Sequence, residues 1–312
     1  MAGAADPVLS VVVTVVSDTT GETDTRHLEG CLSALARQQN PPTMEIIVTC
    51  DGRLRGVEEL ESRFPAVRFI RVQELRTRGA GAGREHHDEL RGIGLRVARG
   101  SILAMLEDHG QPAPDWCARV VEGHQSPHAA VGGAMENGID RLLNWAIYFS
   151  DFGRYQNPVP RGVSPWLTDA NVSYKRSALE EVAQVWKDAY NETRIHRALH
   201  EAGETLWISP DIVVYQHRLN LQWDSALSER YVWGRSYSAT RMAGASLPPR
   251  LMRAALAPLL PAILVMRHLS NVLQKKRNQG AFFRSLPALI LLSVAWSWGE
   301  LMGYLTGRVS GK

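Results

Sequence analysis

Residues 101–116 read SILAMLEDHGQPAPDW. The run Ile102 to Leu106 is short and apolar, as expected of a strand buried on both faces. It stops at Glu107-Asp108-His109, and Gly110, Pro112 and Pro114 break the backbone straight afterwards. Two carboxyl groups and an imidazole therefore stand at the carboxyl end of a strand. Ligands of open α/β sheets bind along that edge, and this donor set suits a divalent cation held against a phosphate. A polar turn capped by acids is the plainer alternative.

Upstream of this stretch, strands and helices alternate. Val8 to Val16 is a nearly continuous β-branched run, a buried strand that opens into the polar turn Ser17 to Asp24, where a phosphate or nucleoside can meet the chain. Arg26 to Gln39 places Leu28, Cys31, Leu32 and Leu35 at helical spacing and ends at Asn40-Pro41-Pro42. Glu45 to Cys50 is a second strand closed by Asp51-Gly52, Gly56 to Phe64 a short helix, Val67 to Val72 a third strand, and Glu85 to Arg99 a helix feeding the central strand. The alternation predicts a doubly wound, mostly parallel sheet. The glycine run Arg78 to Arg84 lacks the Lys-Ser/Thr of a nucleotide P-loop and reads as a flexible connection or lid.

Downstream, Asp115 to His124 is a predicted helix, Ala129 to Gly133 a strand, and Ile139 to Phe152 a helix with an aromatic core face. Leu167 to Tyr174 reads as a strand and Ser177 to Val185 as a helix. Asn191 to Ala202 is a further helix closed by Gly203, and Leu206 to Pro210 and Ile212 to His217 are two strands.

The chain has 312 residues, 45% apolar and 21% charged, with a net charge of +3. That is room for two domains and a sizeable core, and it excludes a disordered chain or a many-helix membrane protein. No Lys/Arg block with interleaved aromatics points to nucleic acid. Cys31, Cys50 and Cys117 have no metal-type spacing and read as thiols in a reducing compartment. The first residues lack the basic start of a signal peptide, so the soluble part is expected in the cytoplasm.

The last third differs in composition. Trp223 to Met242 reads as a helix carrying Arg230, Arg235 and Arg241 beside Tyr231, Trp233 and Tyr237. Ala254 to Met266 is uncharged but interrupted by Pro258 and Pro261, which predicts a shallow interfacial helix. Leu286 to Thr306 is long enough to cross a bilayer, although Glu300 would be costly there, so one span and a second shallow helix both remain open. Lys275-Lys276-Arg277 and Arg284 suggest a loop on the cytoplasmic side. A soluble helical hairpin packed on the core is the alternative.

Taken in order, these pieces resemble the inverting family 2 glycosyltransferases. The similarity runs from Ser10-Val11-Val12-Val13 through Glu45-Ile46-Ile47-Val48 with Asp51-Gly52 and Arg91-Gly92-Ile93-Gly94 with Ala98-Arg99-Gly100. Glu107-Asp108-His109 stands at the DxD position, as in a subgroup that also carries Pro114-Asp115-Trp116 and a carboxy-terminal Gly-Glu pair, here Gly299-Glu300. Asp169 to Arg176 resembles the acceptor-site strand, and Asn191-Glu192-Thr193 the Glu-Asp motif. The resemblance implies a GT-A fold, Rossmann-like with a mostly parallel central sheet, followed by a helical membrane-associated segment. The expected division is 1–125 for the nucleotide-sugar half, 126–222 for the acceptor half and 223–312 for the tail.

It also implies roles. Ser17, Asp51, Arg91, Glu107 and Asp108 are expected to bind the donor, a nucleoside diphosphate sugar with UDP as the first expectation. Glu107, Asp108, His109 and His217 are expected to hold Mn²⁺, with Mg²⁺ second. Trp166, Asp169, Asn171 and Arg235 are expected to meet a lipid-linked or cell-envelope glycan acceptor, and Glu192 to act as base at the cytoplasmic face of the cell membrane. A non-catalytic membrane scaffold is kept open by Cys50, His109 and Thr193, which depart from the family pattern. A nucleotidyltransferase would need a triphosphate-binding loop near the first strand, where Ser17 to Asp24 is acidic.

Overall fold

The computed structural model describes residues 6–17, 25–77, 85–242 and 244–307. Most of the turn after Ser17 and the glycine run at 78–84 lie outside the described residues. The first half is built as its periodicities predict. Strands β1 (Leu9–Thr14), β2 (Met44–Asp51), β3 (Val67–Val72) and β4 (Ile102–Glu107) alternate with helices α1 (Arg26–Ala36), α2 (Val57–Arg63) and α3 (Glu85–Val97). β1 is buried throughout, which is why its apolar run does not alternate. β1 pairs in parallel with both β2 and β4, and β2 with β3. Gly94 lets α3 lie on β1, since a Cβ there would come within 2.4 Å of Val12 Cγ1.

Beyond β4 come β5 (Gly110–Pro112), α4 (Trp116–Gly123), β6 (Ala130–Asn137), α5 (Leu142–Phe152), β7 (Gly162–Val163), β8 (Val172–Lys175), α6 (Arg176–Glu181), α7 (Glu192–Glu201) and β9 (Leu206–Gln216). Among the described residues the strands form one sheet in the order β3-β2-β1-β4-β8-β6-β9-β5, with β7 paired to β9. β8 runs antiparallel to β4 and β6, while β6 and β9 are parallel, so the sheet is mixed and mostly parallel by paired length. The two strands expected at 206–217 are one. β9 passes Pro210 without breaking because a register shift between Gly133 and Ala134 absorbs the irregularity, and a Cβ on Gly133 would fall 1.8 Å from Ile212 O.

The tail is helical: α8 (Trp223–Arg241), α9 (Leu247–Leu256), α10 (Leu260–Lys275) and α11 (Gln279–Thr306). A single 3₁₀ turn at 257–259 joins α9 to α10, giving 29 residues from Leu247 to Lys275. The prolines expected to interrupt this segment, Pro258 and Pro261, are the second residues of the turn and of α10, within the first turn, where a missing N–H costs little. Both this unit and α11 are long and apolar enough to cross a membrane. α11 nevertheless packs along its length on the globular part. Phe282 meets Phe149 of α5 with ring centroids 5.2 Å apart. Further along, Gly299 and Gly303 let its backbone touch α8 at Tyr231 and Arg235.

Candidate active site

The end of β4 is organised around Arg91 of α3. Its guanidinium is buried and lies 2.7 Å from Glu107 Oε1, 3.2 Å from Asp169 Oδ2 and 3.3 Å from Asp88 Oδ1. The fork expected to grip a donor phosphate instead joins two acids that are far apart in sequence. A buried guanidinium needs such partners, and each carboxylate is oriented in return. In this structure Arg91 holds Glu107 and Asp169 together.

Asp108 is engaged at the same strand end. Its carboxylate accepts hydrogen bonds from the Val16 N–H at 3.0 Å and from the Ser17 hydroxyl, and it is buried. Burial pushes its carboxyl up, but the His109 imidazole, the Ser17 hydroxyl and the Val16 amide outweigh that and hold it below the usual range. Asp108 thus ties the exit of β1 to the exit of β4 and takes Ser17 as its partner. His109 Nε2 lies 3.3 Å from Glu107 Oε2, while Nδ1 lies 3.4 Å from Asp108 Oδ1, within ion-pair range but out of hydrogen-bond alignment. Against its burial, Asp108 and Glu107 hold the imidazole up at about 9. The ring of His27 meets His109 edge-on with centroids 6.3 Å apart, a contact no local motif announced.

Glu107, His109 and Arg91 share a cavity of about 1010 Å³ with Ser17, Asp169 and Glu192. Glu192 is the first residue of α7, whose N-cap Asn191 accepts a hydrogen bond from the Arg194 N–H at 3.0 Å, so its carboxylate stands at a positive helix end. Between these acids and the tail lies Tyr155, whose buried hydroxyl has no hydrogen-bond partner. Burial pushes this phenol up to about 12; Arg154, whose guanidinium lies over the ring 4.6 Å from its centroid, opposes this, and the charges of Asp169 and Glu192 add to it.

The other expected site residues lie elsewhere. Asn171 donates to Ala134 O and Ile212 O and accepts from Trp116 Nε1, all at 3.0 Å, so two motif segments brace each other in the core. Trp166 stands outside the cavity wall near His196 and His200, and Arg235 is likewise outside it, on α8. Asp51 ends β2 on the same sheet edge as Glu107, about 10 Å away by strand spacing, and its carboxylate is bound by the Arg53 side chain at 2.9 Å. His217 follows β9. Its N–H donates to His109 O at 2.8 Å, and its ring lies against Gly138 rather than in the cavity wall.

Among the described residues no three His, Cys, Asp or Glu side chains are spaced to hold a metal ion. The four-ligand set is therefore not assembled. Glu107 Oε2 and His109 Nε2 remain, 3.3 Å apart on the cavity wall, and the buried His109 Nδ1 lacks a hydrogen-bond partner. Once an entering ion displaces the imidazole proton, these two groups fit a divalent ion of the kind that takes its remaining ligands from phosphate and water.

The model of the family described as glycosyl transferase family 2 matches residues 25–183, just over half of the chain. The chain belongs to that family, and it is a glycosyltransferase with a mixed α/β GT-A domain. A search among curated proteins returns no match. Among solved structures, the mannosyltransferase PcManGT from Pyrobaculum calidifontis, in complex with GDP-Man and Mn²⁺, is similar at 18% identity with a TM-score of 0.49. The alignment covers 97% of this chain and 86% of that one.

Proposed function

We propose that this chain moves a sugar, with inversion, from a nucleoside diphosphate donor to a lipid-linked or cell-envelope glycan acceptor at the cytoplasmic face of the cell membrane, with UDP-sugars the first donors to test. The observation that carries the reading is the meeting of Glu107 and His109 with Asp169 and Glu192 in one cavity at the carboxyl edge of the sheet. In an inverting displacement the acceptor hydroxyl gives its proton to a base as its oxygen bonds to the anomeric carbon, and the bond to the diphosphate breaks. Glu192 is the candidate base, since it lines the cavity at the first position of α7, where the positive helix end keeps it ionised. Arg91 keeps Glu107 and Asp169 in register. Glu107 and His109 would hold Mn²⁺, or Mg²⁺, the imidazole shifting the preference toward Mn²⁺. An ion bound there would spread the charge that builds on the leaving diphosphate.

Membrane association rests on the outer face of the tail, where Met252, Ile263, Met266, Phe283, Leu291 and Trp298 are all more than half exposed. α8, which packs on α11, carries Asp224, Glu229, Arg230, Arg235 and Arg241. Hydrocarbon would not accept that helix, so α11 lies shallowly in the interface while it keeps this partner. The basic residues near the tail's turn have a structural use as well: Arg277 lies 2.6 Å from Glu136, and Arg284 pairs with Asp140.

The test is calorimetry of UDP- and GDP-sugars on full-length, detergent-purified protein with Mn²⁺, with Mg²⁺ and with chelator. Metal-dependent binding of one donor is expected. Folded protein that binds none of them would overturn the reading in favour of a scaffold.

A further inference from the structure

The cavity reaches from the acids to the tail helices, where Leu260, Leu264 and Leu292 line it. Another part of its wall, at the carboxyl ends of β6 and β9, carries neutral amides. Gln216 is the last residue of β9, paired with Asn137 of β6 on one side and with Gly110 of β5 on the other. It adjoins His217, whose N–H donates to His109 O, so it stands beside the strand end that bears Glu107 and His109. Asn144, in the first turn of α5, is tied to the same place because its Nδ2 donates to Arg218 O at 2.8 Å. Asn137, Asn144 and Gln216 all line the cavity.

The fold does not use these amides fully. Gln216 and Asn144 are each only 5% exposed. Yet among the described residues neither Oε1 nor Nε2 of Gln216 has a hydrogen-bond partner, and Asn144 Oδ1 has none. A buried amide left bare costs stability that an apolar side chain of the same size would not. The charges beside them are matched, Arg218 with Glu229 and Arg230 with Asp151 and Glu229. The group that suits this wall therefore both donates and accepts hydrogen bonds and brings no charge. Neighbouring hydroxyls of a sugar ring do so, one accepting from an amide N–H while the next donates to an amide oxygen. A diphosphate has no hydrogen to donate, and an acidic sugar would add a charge where the existing ones already balance.

We propose that Gln216 and Asn144 are specificity-determining residues that read the hydroxyls of an uncharged sugar ring at the carboxyl ends of β6 and β9. Calling that ring part of a transferase substrate rests on the reading above; its binding does not. The donor's sugar and the terminal sugar of the acceptor offer the same hydroxyl chemistry, and competition separates them.

The probes are the methyl glycosides of glucose, galactose, mannose and N-acetylglucosamine, followed by saturation-transfer NMR on full-length protein in phosphatidylcholine nanodiscs. Saturable transfer to at least one ring is expected. Its affinity should fall about tenfold or more in Gln216→Met and in Asn144→Leu, while metal-dependent binding of UDP or GDP stays within about twofold. Gln216→Met removes an unpartnered amide at similar volume, so it is expected to melt no lower than the wild type. A clear fall in its melting temperature would show the amide already satisfied within the fold and overturn the proposal. So would a folded variant that binds the ring like the wild type, the result expected if the amides hold ordered water only. Methyl glucuronide binding as tightly as the neutral rings would overturn it too, as would displacement of the ring by UDP or GDP alone. Displacement by a nucleotide sugar but not by its bare diphosphate assigns the ring to the donor, and binding alongside both assigns it to the acceptor. Ring binding in protein that binds no nucleotide sugar would sink the transferase reading and leave this site standing. Nucleotide-sugar binding without saturable binding of any ring would do the reverse.

Discussion

At the residue scale, the proposed function turns on how each acid of the cavity is held. Asp108 binds Val16 and Ser17, Asp169 binds Arg91, and Glu192 stands on the cavity wall at the start of α7, the position argued above for the proton acceptor. Glu192→Gln keeps the size and the helix position and removes the basicity. It is expected to leave donor affinity unchanged and to lower turnover by about 10² or more, the usual effect of losing a general base. Donor affinity by calorimetry and sugar transfer with the identified donor separate the two effects, and an unchanged rate would remove Glu192 from the role. The histidines make a second prediction at this scale. Burial, with Lys175 adding to it, lowers His124 from 6.5 to about 3, and burial with His200 lowers His196 to about 4. A histidine depressed in the folded state binds its proton more readily when unfolded. Stability is therefore full above about pH 6.5 and falls as the pH drops, by up to about 1.4 kcal/mol per pH unit for each group. Thermal melts between pH 6.5 and 4.5, above the usual carboxylate range, should show this slope in the wild type and a shallower one in His124→Asn.

At the element scale, the crossing of α8 and α11 decides whether the tail stays attached. A Cβ on Gly299 would lie 2.1 Å from Tyr231 O, and one on Gly234 would lie 2.3 Å from Trp296 O, so each helix supplies a glycine where the other's backbone arrives. Glu300 follows in sequence and accepts hydrogen bonds from Trp296 Nε1 at 2.6 Å and from the Tyr304 hydroxyl at 2.7 Å. The charge that looked expensive in an apolar helix is satisfied by two aromatic neighbours on its own helix, at the inner end of the cavity. Gly299→Leu cannot be accommodated without parting the helices. It should cost about 2 kcal/mol or more through overpacking and lower the melting temperature. It should also open α11 to proteolysis, and a variant that melts and resists protease like the wild type would contradict the close crossing.

At the scale of the whole molecule, the cavity and the apolar tail form one unit, because α11 is anchored to α5 at one end and to α8 along the other. Removing the tail would strip the wall from the cavity along with any membrane contact, so point substitutions on the outer face test association more cleanly. Leu291→Glu/Trp298→Glu changes only side chains that are 51% and 58% exposed. Surface changes of this kind are expected to move stability by less than about 0.5 kcal/mol each. Flotation with lipid vesicles should nevertheless fall sharply. A double variant that floats like the wild type would count against this face as the membrane contact.

Much of the fold was legible in the order of the residues, because the signals are local. The β-branched run of β1, the apolar stop at Glu107 and the helical spacing of Leu28, Cys31, Leu32 and Leu35 depend on neighbours a few positions away. By themselves they determined the alternating half of the sheet, the edge where the site lies and the apolar character of the tail. Tertiary structure alone decided how the candidate residues are used. Arg91 bridges Glu107 and Asp169, Trp116 braces Asn171, and Arg230 is held by Asp151 rather than left on a solvated face. Each of these pairings joins segments distant in sequence, and a buried charge takes whichever opposite charge the packing brings to it. The continuation of the cavity into the tail has the same origin, for its walls come from helices that meet only when the chain is folded.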